Sequence, residues 1–91
     1  MKEIIIANNF AVEEAVEYRE ELNKLIEKGE RQFVMNFREC NFIDSTGLGV
    51  LVAVYKKVME LGGSFELNSI DNPQVMKIFK LTRLDKVFDI K

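Results

Sequence analysis

Phe42-Ile43-Asp44-Ser45-Thr46-Gly47-Leu48-Gly49-Val50-Leu51 is the stretch that decides how this chain is read. Two apolar residues run into Asp-Ser-Thr-Gly, and an amphipathic stretch follows that stops at Gly62-Gly63. The pattern predicts a strand end, a short loop and a helix from about Ser45 to Leu61. Asp44 is the natural N-cap, because its carboxylate can accept hydrogen bonds from the amides of Thr46 or Gly47 that the first helical turn leaves free. Ser45 and Thr46 then occupy that turn, where unpaired amides and the helix dipole favour an anion. A phosphate there carries roughly −1.5 to −2 charges, and Asp44 opposes it as a like charge. The plainer reading is a cap followed by a tight packing contact, since capping residues are strongly preferred at helix starts.

The helix after the loop holds a second clue. At about 100° per residue, Leu48, Leu51, Val52, Tyr55, Val58 and Met59 share one broad face. Val50, Val54 and Leu61 form another stripe, with Gly47 near its upper end. Either a neighbouring helix covers this stripe, or it is partly exposed and forms a docking surface beside Ser45 and Thr46. Burial of Val50 and Val54 would remove the second reading.

Working outward, Ile4-Ile5-Ile6 is a β-branched run suited to a strand buried on both faces, interrupted by Asn8-Asn9. Val12 to Lys28 reads as a helix with Ala15, Tyr18, Leu22, Leu25 and Ile26 on one face and Gly29 at its end. Phe33 to Phe37 is a second strand, with Phe42-Ile43 resuming the apolar track, and Ser64 to Asn68 alternates as a third. Asp71-Asn72-Pro73 opens a last helix whose apolar face holds Val75, Ile78, Phe79 and Leu81. Val87 to Ile90 is a short final strand or an extended tail. Strands alternating with helices predict an α/β sheet with right-handed crossovers.

The 91 residues suit one domain spanning 1–91, and a domain of this size buries only ~60–65% of its unfolded surface in one modest core. A formal charge of −2 leaves no basic footprint for nucleic acid. No apolar run approaches the ~18 residues of a membrane span, and the apolar start is too short for a signal peptide. One cysteine, Cys40, cannot form an intrachain disulfide, which points to a reducing, cytoplasmic setting. The absence of histidine excludes a Ser-His-Asp triad and any histidine-bound zinc, so no metal is expected. Ser45 as an enzymatic nucleophile would need a base, and the loop is not Gly-x-Ser-x-Gly.

With Gly62-Gly63 at the helix end and Val75 to Phe88 as a closing segment, the stretch from Phe42 resembles the signature of STAS domains. The subgroup it looks most like is the bacterial anti-sigma factor antagonists. The resemblance runs from Arg19 onward and implies an α/β fold: a small mixed β-sheet of about four strands with three main helices. It implies a protein-binding module, not an enzyme. Unphosphorylated, such a module binds an anti-sigma factor that is also a serine kinase, and a sigma factor is released. Phosphorylation at the position of Ser45 or Thr46 ends the binding, and a phosphatase resets it. ATP and magnesium would belong to the kinase, and this chain would carry no cofactor. The partner-binding residues so implied are Asp44, Ser45, Thr46, Gly47 and Leu48, with Val50 and Val54 added by the stripe.

Two departures stand out. The family usually has a strand before the one matching Lys2–Ile6, and this chain begins after it, so an uncovered sheet edge is expected that invites a homodimer or another cover. The family often has Gly-x-Leu/Ile-Asp where this chain has Asn8-Asn9-Phe10-Ala11. The missing acid belongs to the usual partner-facing surface. A competing function is therefore a constitutive STAS scaffold or regulatory subunit, for instance on a transport ATPase, indifferent to phosphate.

Overall fold

The computed structural model describes residues 1–91. In chain order it contains β1 (Lys2–Ile5), β2 (Asn9–Phe10), α1 (Val12–Glu27), β3 (Gln32–Asn36), β4 (Phe42–Ile43), α2 (Ser45–Glu60), β5 (Ser64–Asn68), α3 (Pro73–Leu81), a 3-10 turn (Leu84–Lys86) and β6 (Asp89–Ile90). The expected small mixed sheet is a sheet of four strands in the order β1-β3-β5-β6, and every pairing in it is parallel. Parallel neighbours need long connections, which α1, α2 and α3 supply.

Local chemistry sets the helix limits. α1 ends where Gly29 takes a left-handed φ of 103°, and the chain leaves α2 through Gly62 at φ 78°. A Cβ on Gly63 would overlap the Arg31 carbonyl, so the turn before β5 needs glycine there too. Asn72 caps α3, its side chain accepting from the Gln74 and Val75 amides at 2.9 and 3.3 Å, with Pro73 in the first turn.

Strand alternation divides the sheet into two faces. Phe33, Met35, Phe65 and Leu67 enter the core with Leu22 and Ile26 of α1 and Leu51 and Val58 of α2. On the other face, Glu3, Val34, Glu66 and Asp89 lie in register across the four strands. Phe79 and Phe37 meet edge to face at 5.7 Å, and Phe88 packs on Tyr55 at 5.2 Å. These contacts seat the chain end, so Val87–Ile90 becomes an ordered approach to β6, which pairs with β5.

Several expectations shift. The Ile4–Ile6 run is not buried on both faces, since Ile5 is only half-buried, although β1 lies at the sheet edge as expected. Phe42-Ile43 does not rejoin the main sheet. It forms β4, which pairs in parallel with β2 in a separate two-stranded sheet. Leu81 is exposed, because α3 ends there and turns its last residue outward.

Candidate functional site

The crossovers after β1 and β3 and the loop after β5 all leave the carboxyl ends of the parallel strands, and three asparagines join them there. The Asn41 side-chain amide donates to Asn8 Oδ1 at 2.7 Å, and the Asn72 amide donates to Asn41 Oδ1 at 3.2 Å. The backbone amides of Asn41 and Phe42 both donate to the Asn8 carbonyl, at 2.8 and 3.1 Å. Open parallel sheets place ligand sites at this end, and the Asp44 loop rises from it.

Ile43 is buried and anchors the loop from below, while Phe42, one residue earlier on the opposite side of the strand, is 52% exposed. Asp44 is extended at φ −113° and caps α2, its Oδ1 accepting from the Gly47 amide at 2.9 Å. Its carbonyl accepts from the Leu48 amide at 3.0 Å. Of the two alternatives, the Gly47 amide is thus the capped donor. Ser45 is the first helical residue and is exposed; Thr46 beside it is half-buried. Gly47 is buried, and a Cβ there would overlap the Phe10 carbonyl and come within 2.9 Å of the Phe10 ring. Gly49 differs: it is exposed and a Cβ would meet nothing within 4 Å.

This arrangement offers a free hydroxyl at a helix N-terminus, rigidly held from below and open above. An added phosphate would find the amides of the first turn and the positive end of the α2 dipole, worth about 0.3–1 kcal/mol at an exposed position. It would also sit beside the Asp44 carboxylate. No group of three or more His, Cys, Asp or Glu side chains is placed to hold a metal ion. Cys40 is buried, and its thiol donates to the Phe42 carbonyl at 3.4 Å. Burial pushes its pKa above the ordinary 9.0, against a smaller lowering by backbone hydrogen bonds at Phe42 and Phe10.

The docking stripe on α2 is corrected. Val50 is 6% and Val54 2% exposed, so neither can face a partner. α2 packs both on the sheet and along α1, and two covering elements bury a broader arc than one would. That arc is centred on Gly47, Val50, Leu51, Val54 and Val58. Leu48, Val52 and Tyr55 are left half-buried and Met59 exposed. Of the residues first assigned to partner contact, the structure brings Asp44, Ser45, Thr46 and the edge of Leu48 to the surface; Gly47 lies beneath them. Phe42 and Gly49 are exposed near them, which the sequence reading does not anticipate. Alternation with buried Ile43 could have placed Phe42 outward, and a glycine four residues after Ser45 shares its helix face.

The comparisons fit this geometry. The profile of the STAS domain family matches residues 4–91. The anti-sigma-B factor antagonist of Bacillus subtilis (strain 168) is 33% identical over 88 residues, covering 97% of this chain and 79% of that protein. The anti-sigma F factor antagonist of Paenibacillus polymyxa is 32% identical over 57 residues, which is 63% of this chain and 48% of that one. The Thermotoga maritima protein TM1081 superposes with a TM-score of 0.86 at 28% identity, over 97% of this chain and 77% of that one. The Bacillus cell fate determinant SpoIIAA, solved in its phosphorylated form, shares the fold with a TM-score of 0.76 at 19% identity, over 98% of this chain and 80% of that one. Sequence, loop geometry and topology agree that this chain belongs to the STAS domain family.

Proposed function

We propose that this chain is an anti-sigma factor antagonist whose Ser45 corner is a charge-controlled latch. Residues 1–91 act as one protein-binding domain without catalytic chemistry of its own. The observation that carries the reading is the exposed Ser45 hydroxyl as first residue of α2, beside a half-buried Thr46. That contrast favours Ser45 over Thr46 as the acceptor. The names of the curated relatives support an anti-sigma factor as the partner. No helix of the chain is long and apolar enough to cross a membrane, which accords with a partner met in solution.

In this scheme the unmodified domain docks its anti-sigma factor through Asp44, Ser45, Thr46, the rim of Leu48 and the exposed Phe42 ring. The partner, also a serine kinase, supplies ATP and magnesium. Ser45 Oγ attacks the γ-phosphorus, the bond from that phosphorus to the bridging oxygen breaks, ADP leaves and the hydroxyl proton passes to a base of the kinase. The new group brings roughly −1.5 to −2 charges into a packed interface, where repulsion by Asp44 and lost hydration separate the partners. A phosphatase restores the hydroxyl.

The test uses a purified candidate anti-sigma factor kinase. Ser45→Ala is expected to fold, bind that kinase and accept no phosphoryl group by intact mass, and Ser45→Asp to lose at least about tenfold in affinity. Undiminished phosphotransfer in Ser45→Ala/Thr46→Ala would refute the reading. Unchanged binding by Ser45→Asp would favour the constitutive scaffold, a reading supported by Ala11 standing where the family has an acid. Ala11 is the N-cap residue of α1 and makes no side-chain cap.

A further inference from the structure

A groove beside β1 plays no part in the latch. Within residues 1–91, β1 bonds only to β3, so its outer side is a sheet edge there. The Ile6 amide donates inward to the Asn36 carbonyl at 2.9 Å. In a parallel ladder alternate residues bond to the same side, so the amides and carbonyls of Glu3, Ile5 and Ala7 point outward. Tyr18 of α1 stops one end of this edge: its hydroxyl donates to the Ile5 carbonyl at 2.7 Å. The Glu3 amide, the Glu3 carbonyl and the Ile5 amide remain without a strand beside them.

α1 lays an acidic stripe along the same edge. Glu14, Glu17 and Glu21 recur at three- and four-residue spacing around Tyr18, and with Lys2 and Glu3 they line a groove of about 450 Å³. The ion pairs of the molecule are Arg38–Glu39 and Lys91–Asp89, so none of these carboxylates is neutralised. Like charges at this helical spacing repel, so the stripe does nothing for the stability of the monomer.

We propose that this groove takes an extended cationic segment of another protein as an added strand on β1. The segment's backbone pairs with Glu3 and Ile5. Its lysine or arginine side chains, on the helix side of the new strand, meet Glu14, Glu17 and Glu21. Alternate strand residues repeat every ~6.7 Å and the glutamates every ~5–6 Å, so two or three cations match the stripe. The same charges select against a second copy of this chain, which would bring another acidic stripe to the edge.

The probe is an eight-residue peptide of alternating valine and lysine, with a valine–glutamate peptide as control, titrated into the isotopically labelled full chain. Expected are saturable shifts and slowed exchange at the Glu3 and Ile5 amides with the lysine peptide only. Glu17→Lys/Glu21→Lys, at two exposed positions, is expected to weaken that binding about fivefold to thirtyfold and to admit the glutamate peptide. Equal response to both peptides, shifts confined to other residues, or unchanged affinity in the double variant would overturn the proposal. So would a dimer in sedimentation velocity whose formation protects Glu3 and Ile5, because the edge would then belong to a second copy.

Discussion

Two alanine substitutions two residues apart in α2 are expected to act in opposite directions. At Gly47 a new Cβ would overlap the Phe10 carbonyl and lie 2.9 Å from the Phe10 ring and 3.0 Å from Ile43 Cγ1. The obstacle includes backbone, so the β2–β4 pair must shift, and overpacking of this kind costs about 1–3 kcal/mol. Alanine regains about 1 kcal/mol over glycine within a helix, which leaves Gly47→Ala destabilised by up to about 2 kcal/mol. At Gly49 the Cβ meets nothing within 4 Å, so only the helical gain of about 0.5–1 kcal/mol remains. The two variants have identical composition and share the helical gain, so they are expected to differ by the overpacking cost, about 1–3 kcal/mol. For a domain of this size that is about 4–24 °C in Tm. Urea denaturation followed by far-UV circular dichroism measures both. A Gly47→Ala protein as stable as Gly49→Ala would refute the close approach of α2 to β2. Gly49→Ala has a second use: with improved stability, any loss of affinity for an anti-sigma factor places the partner on the Ser45 face of α2.

Other outcomes follow from single features. Asp44→Ala removes the α2 cap and is expected to cost about 1 kcal/mol, read as a Tm lower by about 4–8 °C. Val54→Ala opens a cavity in the core and should cost about 1–3 kcal/mol by urea denaturation, so weakened partner binding by this variant should track its unfolded fraction. Stability should fall as pH rises past about 9. Burial raises the thiol of Cys40 above its ordinary 9.0 and the hydroxyl of Tyr18 above 10.0, so the folded chain keeps protons that the unfolded chain has lost. Stability from these groups is complete below those ordinary values and declines above them. Urea midpoints between neutral pH and about 10.5 should slope downward, and Cys40→Ala should flatten the part of the slope that begins near 9.

Most of the architecture was legible because the strongest signals are local. Asp44 before Ser-Thr-Gly, Gly29, Gly62-Gly63 and Asn72-Pro73 mark the helix limits by chemistry that does not depend on the rest of the fold. What failed to read depends on neighbours distant in sequence. Asn9-Phe10 is too short for any periodic pattern and is a strand only because Phe42-Ile43 lies beside it. Val50 and Val54 form a stripe whose fate depends on where α1 lies. Ile5 reads as buried on both faces and is only half-buried, while the open edge beside it was already implied by the family resemblance. At the site, the cap and the exposed hydroxyl were readable. The outward turn of Phe42 and the open space above Gly49 required the packed structure.

The chain of asparagine amides has a practical consequence. Asn41 lies three residues before Asp44, and its side chain holds Asn72, which in turn binds the first amides of α3. Any displacement of the segment leading into the latch therefore tugs on a helix start formed by a distant part of the sequence. The backbone signals of Gln74 and Val75 thus become remote gauges of any shift in the Asp44 loop, readable without placing a label on the loop itself.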